Sequence, residues 1–246
     1  MPYLSRLHLN PLRTQTQRML RNPQVLHAAV LGGLSRQPVT ERVLWRLDPP
    51  HQHRLTLLVL TGSRPSWEHL IEQAGWPGAD EPQTLVKPYE PLLDQVQRGR
   101  IFAFRLKANP TSATKKPAAP SEAQARHLAG PRPRGVRVAH RKLPDQLDWL
   151  IARLRQSGCS VLTDTIAGTE MPAVQVTDRH RLRFHKTGGS RSDTPPVTLE
   201  SATFDGMLRI DEPETARQTL LEGIGSAKAY GFGLLTLAPP HPRTAS

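Results

Sequence analysis

The stretch from Asn109 to Gly135 decides how this 246-residue chain can be arranged. It is rich in Pro, Ala, Ser, Lys and Arg. Between residues 107 and 142 the only acid is Glu122. Such a segment cannot bury enough apolar surface to fold around itself. It reads as a basic Pro/Ala-rich linker over 109–135, with one unit before it (1–108) and one after it (136–246). Each unit is then the size of a small domain.

The apolar patterns on the two sides follow the same order. Tyr3 to Leu9 alternates as a strand and ends at Asn10-Pro11. Arg13 to Leu20 is a short basic helical piece. Asn22-Pro23 is an N-cap with proline at the first helical position, and Leu26, Val30 and Leu34 then recur at helical spacing. Strands follow at Arg42–Leu47 and Arg54–Leu60, with Asp48-Pro-Pro as a turn. A helix starts at Pro65, and a strand at Ile101–Leu106 follows. After the linker come a strand at Val136–Ala139 and a helix at Asp145–Gln156. Strand material follows at Cys159–Leu162, Val174–Phe184 and Val197–Ile210. A helix at Pro213–Leu221, a glycine loop and a strand at Phe232–Leu237 close the chain. The expected fold class is α+β, with two tandem ferredoxin-like (βαββαβ, RRM-like) domains.

Charge narrows the partners. Lys plus Arg is 33 against 21 Asp plus Glu, a formal net charge of +12. The first forty residues hold no acid, nor does Arg179 to Arg191. Segregation of this kind points to a polyanion. Nucleic acid fits better than membrane, because no basic segment is also a long amphipathic helix, and no apolar run approaches a membrane span. The single cysteine, Cys159, leaves no disulfide framework and suits a reducing compartment. The opening residues alternate like a strand and do not read as a signal peptide, so a cytoplasmic location is expected.

Two places carry chemistry. The stretch Gly223-Ile-Gly-Ser-Ala-Lys-Ala-Tyr-Gly-Phe-Gly233 sets four glycines and Lys228 between a helix and a strand. Its backbone N–H groups could converge on an anion. The order helix, loop, strand is wrong for the P-loop and the dinucleotide loop, which run from strand to helix. His27 lies about one turn into the helix that begins at Asn22. The partial positive charge of that helix end disfavours the imidazolium, which suits a general base; a boundary histidine with a satisfied hydrogen bond is the structural alternative. No H-E-x-x-H or D-x-D pair is present, so neither a metal nor a cofactor is expected. Arg179, Arg181, Arg183 and His185 share one face at strand spacing, with Lys186 next along, as in a basic hairpin laid along a nucleic-acid groove.

The landmarks Leu9-Asn10-Pro11, Arg21-Asn-Pro-Gln-Val-Leu-His27, Leu44-Trp-Arg-Leu-Asp-Pro49, Phe104-Arg-Leu-Lys-Ala-Asn-Pro110 and the closing glycine stretch occur in this order over nearly the whole chain. In these the chain resembles the CasE family, the RNA-processing endoribonucleases of type I-E CRISPR systems. The resemblance implies two ferredoxin-like domains and metal-independent cutting of the CRISPR repeat hairpin at the 3′ base of its stem. It also implies retention of the crRNA and assembly with the other Cascade subunits. It places His27 at the catalytic position. A tyrosine and a lysine that assist in some members fall at Gln24 and Gly32 here, so Ser35, Arg36 and Lys228 become candidates for catalytic support. Lys107, Asn109, Gly223, Gly225, Gly231 and Gly233 join the basic hairpin as expected RNA contacts. An RNA-hairpin-binding assembly subunit with weak or no activity is the alternative.

Overall fold

The computed structural model describes residues 1–51, 53–118, 122–130, 135–166, 168–185 and 196–240. The first sheet has the order β2-β3-β1-β4. It is built from β1 (Tyr3–Leu9), β2 (Leu44–His51), β3 (Arg54–Thr61) and β4 (Thr84–Pro88). Three helices accompany it: α1 (Thr14–Arg21), α2 (Pro23–Leu31) and α3 (Glu68–Ala74). All three strand pairs are antiparallel, with Leu7 opposite Leu57 and Trp45 opposite Val59. Period-two burial in β1 and β3 turns Leu7, Leu9, Leu57 and Val59 toward Met19, Leu26, Val30 and Leu70 of the helices.

A short helix α4 (Glu90–Gln95) leads to β5 (Ile101–Ala108). The next elements are β6 (Thr111–Thr114), α5 (Glu122–Leu128), β7 (Val136–Ala139) and α6 (Leu143–Gln156). Then come β8 (Cys159–Val161), β9 (Thr163–Ile166), β10 (Thr169–Pro172), β11 (Val174–Phe184) and β12 (Val197–Ile210). Helix α7 (Pro213–Glu222), a 3-10 turn (Lys228–Tyr230) and β13 (Leu235–Ala238) finish the described chain. The second sheet runs β11-β12-β5-β13, and β8 also pairs with β12. Each sheet thus has the strand order of a ferredoxin-like unit, and the tandem arrangement read from the sequence holds.

The assignment of strands to units needs correction. Ile101–Ala108 is not the last strand of the first unit. It lies between β12 and β13 in the second sheet, with Phe204 opposite Leu106 and Leu237 opposite Phe104. The strand that completes the first sheet is β4, which pairs with β1. The division between the sheets therefore falls between Pro88 and Ile101, ahead of the expected boundary at 108. Nor is 109–135 plain linker. Thr111–Thr114 pairs with Val136–Ala139, and the indole N–H of Trp149 donates to the carbonyl of Thr111 at 3.0 Å. Pairing two short strands needs only backbone groups, which a composition unable to build a core still supplies.

The second core, with Phe102, Phe104, Leu106, Leu150, Phe204 and Leu208, extends to Leu44 and Leu60 of the first sheet. Arg46 fastens the two sheets. It is 2% exposed, and its guanidinium pairs with Asp48 at 2.7 Å. One of its nitrogens donates to the carbonyls of Arg105 (3.1 Å) and Leu234 (3.3 Å) and to the hydroxyl of Thr236 (2.9 Å), on or beside the strands of the second sheet. Cys159 is buried, and burial pushes its thiol up to about 12, in keeping with a structural role.

Candidate functional site

Helix α2 starts as its sequence dictates. The side chain of Asn22 accepts from the backbone N–H of Gln24 at 3.0 Å, and Pro23 occupies the first turn. Leu26 and Val30 bury into the first core. His27 sits beside them, half-buried. The indole N–H of Trp45 donates to its Nδ1 at 3.4 Å. Burial holds the imidazole below its ordinary value, because the charged ring loses solvation.

The glycine stretch comes to the same helix from the second unit. Its 3-10 turn packs against α2 and β2. Gly231 has φ 82°, and a Cβ there would lie 2.4 Å from the Trp45 ring, so this backbone rests directly on the indole. Lys228 belongs to the turn. Its ammonium is held below the usual lysine range first by burial and then by Arg42, against the pull of Glu222.

Several expected contacts turn inward instead. The N–H groups of Gly223, Gly231 and Gly233 donate to the carbonyls of Thr219, Lys228 and Lys107, so they are spent within the protein, closing α7, the turn and the contact with β5. Gly225 is exposed. Asn109 is 5% exposed. Its amide donates to Ser226 at 3.3 Å and its carbonyl accepts from the backbone of Glu200 at 3.2 Å. It anchors the loop, with both ends of its amide engaged within the protein. Ser35 and Arg36 are exposed in a hollow shared with Thr40, Glu41 and Ser63.

The basic row on β11 is present. Arg179, Arg181, Arg183 and His185 are exposed, while Leu182 and Phe184 on the other face point inward. Arg181 and Arg141 both pair with Glu200, at 2.8 and 3.2 Å. Among the described residues Arg183 has no ion-pair partner. Lys186 lies outside the described residues. The end of β11 reaches the helix: Asn22 Nδ2 donates to the carbonyl of His185 at 3.3 Å. Phe184 meets Tyr230 of the turn edge-on at 4.9 Å. Start of α2, glycine turn and end of the basic ribbon therefore converge.

Next to this junction a cavity of about 530 Å³ separates the units. Leu26, Trp45 and Leu47 line one side, and Lys107, Thr203 and Leu182 the other. Lys107 stands 5.9 Å from the ring centre of Phe232, and burial holds its ammonium below the usual range. Trp45, Tyr230, Arg141 and Glu200 were not singled out from the sequence. Only Trp45 and Tyr230 gave a signal there, as aromatic residues inside landmark stretches. Among the described residues no group of three or more His, Cys, Asp or Glu could hold a metal ion. No helix among them is long and apolar enough to cross a membrane.

Comparison with known proteins follows the same lines. Residues 2–239 match the family described as CRISPR associated protein. The chain is 32% identical over 240 residues to the CRISPR-associated endoribonuclease Cse3 of Thermus thermophilus, covering 96% of this chain and 100% of that protein. A solved structure of Thermus thermophilus Cse3 bound to an RNA representing a pre-cleavage complex superimposes with a TM-score of 0.72 at 30% identity, over 97% of this chain and 99% of that one. The Escherichia coli protein Cas6e, at 20% identity and a TM-score of 0.54, covers 97% of this chain and 100% of its own, and shares the fold.

Proposed function

The chain belongs to the CRISPR-associated protein family that includes Cse3, or CasE, and from that footing we propose that it is an endoribonuclease of CRISPR repeat RNA. It binds the repeat hairpin and cuts at the 3′ base of the stem without a metal. The product crRNA stays bound and enters Cascade, in the cytoplasm.

The observation that carries this reading is the convergence at α2. His27, the 3-10 turn with Lys228, and the end of the basic ribbon come from three parts of the chain and meet at one edge. A stem lying along Arg179, Arg181 and Arg183 ends where Asn22 touches His185. The ribose 2′-OH attacks the adjacent phosphorus, the 5′ oxygen leaves, and a 2′,3′-cyclic phosphate forms. The nucleophile belongs to the substrate, so RNA is required and DNA is not cut. The protein aligns the attacking and leaving oxygens and stabilises the charge that develops between them. His27 acts at the reacting atoms, as base toward the 2′-OH or as donor toward the leaving oxygen. Lys228 supplies the nearby positive charge.

The test is cleavage of a cognate repeat hairpin in EDTA, beside the same RNA with a 2′-deoxy substitution at the scissile nucleotide. The first should be cut and the second only bound. His27→Ala should lower cutting by at least about a hundredfold and leave hairpin affinity near that of the wild type. A gel shift with no product from the unmodified hairpin would instead make the chain a binding and assembly subunit.

A further inference from the structure

We propose that Trp45 is the positioning residue of this site: its indole N–H holds the His27 ring as the neutral Nε2–H tautomer, so that the histidine meets the RNA as a hydrogen-bond donor. This rests on the reading of His27 as the catalytic residue.

The argument starts from what an indole can do. Trp45 Nε1 carries a hydrogen and no lone pair available to a donor. It lies 3.4 Å from His27 Nδ1, so that nitrogen must be the acceptor. The imidazolium, with hydrogen on both nitrogens, would set two N–H groups against each other. So would the neutral Nδ1–H tautomer. Only the Nε2–H form keeps the bond.

The indole cannot easily turn away. Trp45 is 3% exposed, its strand is registered against Val59 in β3, and the backbone of Gly231 lies on its ring. Burial of His27 disfavours the charged ring independently. The charged or titratable groups on elements that touch α2 are Arg18 and Arg21 of α1, Lys228 and Tyr230 of the 3-10 turn, and His69 with the exposed Glu68 and Glu72 of α3. His69 is engaged with the carbonyl of Ala29 at 2.9 Å. Beside Trp45 on β2, Arg46 and Asp48 pair with each other. Burial is the one cause of the His27 shift, and no carboxylate, Glu68 and Glu72 included, acts on the ring to stabilise an imidazolium.

The chemical consequence concerns which of the two roles is open. A base toward the 2′-OH needs a lone pair on Nε2, which this tautomer lacks. A neutral Nε2–H can donate to the leaving 5′ oxygen or to a non-bridging oxygen as negative charge builds there, and it transfers no proton. His27 then stabilises charge and moves no proton: the 2′-OH proton passes to water, and the leaving 5′ oxygen takes its proton from water.

The test combines a spectrum with kinetics. Protein labelled with ¹⁵N in histidine is compared with His27→Gln to assign the ring. In the wild type the ring should be neutral, with hydrogen on Nε2 alone. A wild-type ring with hydrogen on Nδ1, or charged at neutral pH, overturns the proposal, and this needs no Trp45 variant to fold. Trp45→Phe should give a mixture of tautomers. Single-turnover cleavage should fall about five- to tenfold with RNA affinity unchanged, and the rate should acquire an inflection between about pH 5 and 8. A Trp45→Phe protein with an unchanged tautomer and pH profile also overturns it. His27→Gln, whose amide can donate, should cut about tenfold faster than His27→Ala; equal loss counts against a donor role. If His27→Ala cuts like the wild type, the catalytic reading of His27 fails, whatever the tautomer.

Discussion

Arg46→Met tests what holds the two sheets in register. The arginine is 2% exposed and reaches four partners. Two of its nitrogens take the Asp48 carboxylate, at 2.7 and 3.2 Å. The third reaches the carbonyls of Arg105 and Leu234 and the hydroxyl of Thr236. Methionine refills most of the stem, so little is lost from packing. What remains is a mostly buried carboxylate and two carbonyls without the cation. Removing one partner of such a pair costs about 3–5 kcal/mol. In urea this should lower the unfolding midpoint by about 1–2 M, followed by tryptophan fluorescence and far-UV circular dichroism. Arg46→Met combined with Asp48→Leu should recover about 1–3 kcal/mol, because the stranded carboxylate goes too. A loss under about 1 kcal/mol for the single variant, or strict additivity in the double, would refute the reasoning. Cleavage should fall in the single variant, since α2 stands on one sheet and the glycine turn on the other.

Two further expectations follow from the same neighbourhood. Gly231→Ala puts a Cβ at φ 82° and 2.4 Å from the Trp45 ring. It should lose about 2–5 kcal/mol in urea unfolding and lower cleavage more than RNA affinity. His27 has a folded value below its ordinary 6.5, so the unfolded chain takes up the proton first as pH falls. The wild type should therefore lose stability below about pH 6.5, while His27→Gln shows a shallower loss over the same range in parallel urea titrations.

The tandem fold was legible because strong periodicities came in the right order. The N-cap at Asn22 and the helical stripe of Leu26 and Val30 were plain from the sequence, and they carry His27 to its place. Sheet membership was not. Phe102, Phe104, Leu106 and Ala108 alternate as cleanly as any strand here. Alternation states that one face is buried, not against which neighbour. β4 escaped notice because it is short, ends at Pro88, and leaves Leu85 41% exposed at the sheet edge. In the site, the glycine density was visible, but its cause was not. Three of the four glycines serve close packing against Leu44, Trp45 and the loop's own carbonyls, and such contacts exist only between distant parts of the chain. Asn109 misled for a related reason, since a buried amide that satisfies its neighbours looks in sequence like one offered to a ligand.

The place of β5 has a consequence for synthesis. It leaves the ribosome with four alternate side chains ready to bury, but both neighbours, Val197–Ile210 and Leu235–Ala238, are made much later. The first sheet can close on itself while translation continues, whereas the second must hold its central strand open until β12 and β13 emerge. A nascent chain halted before β13 should accordingly be a client for chaperones, and a fragment cut at the start of β7 should lack the strand around which its sheet is laid.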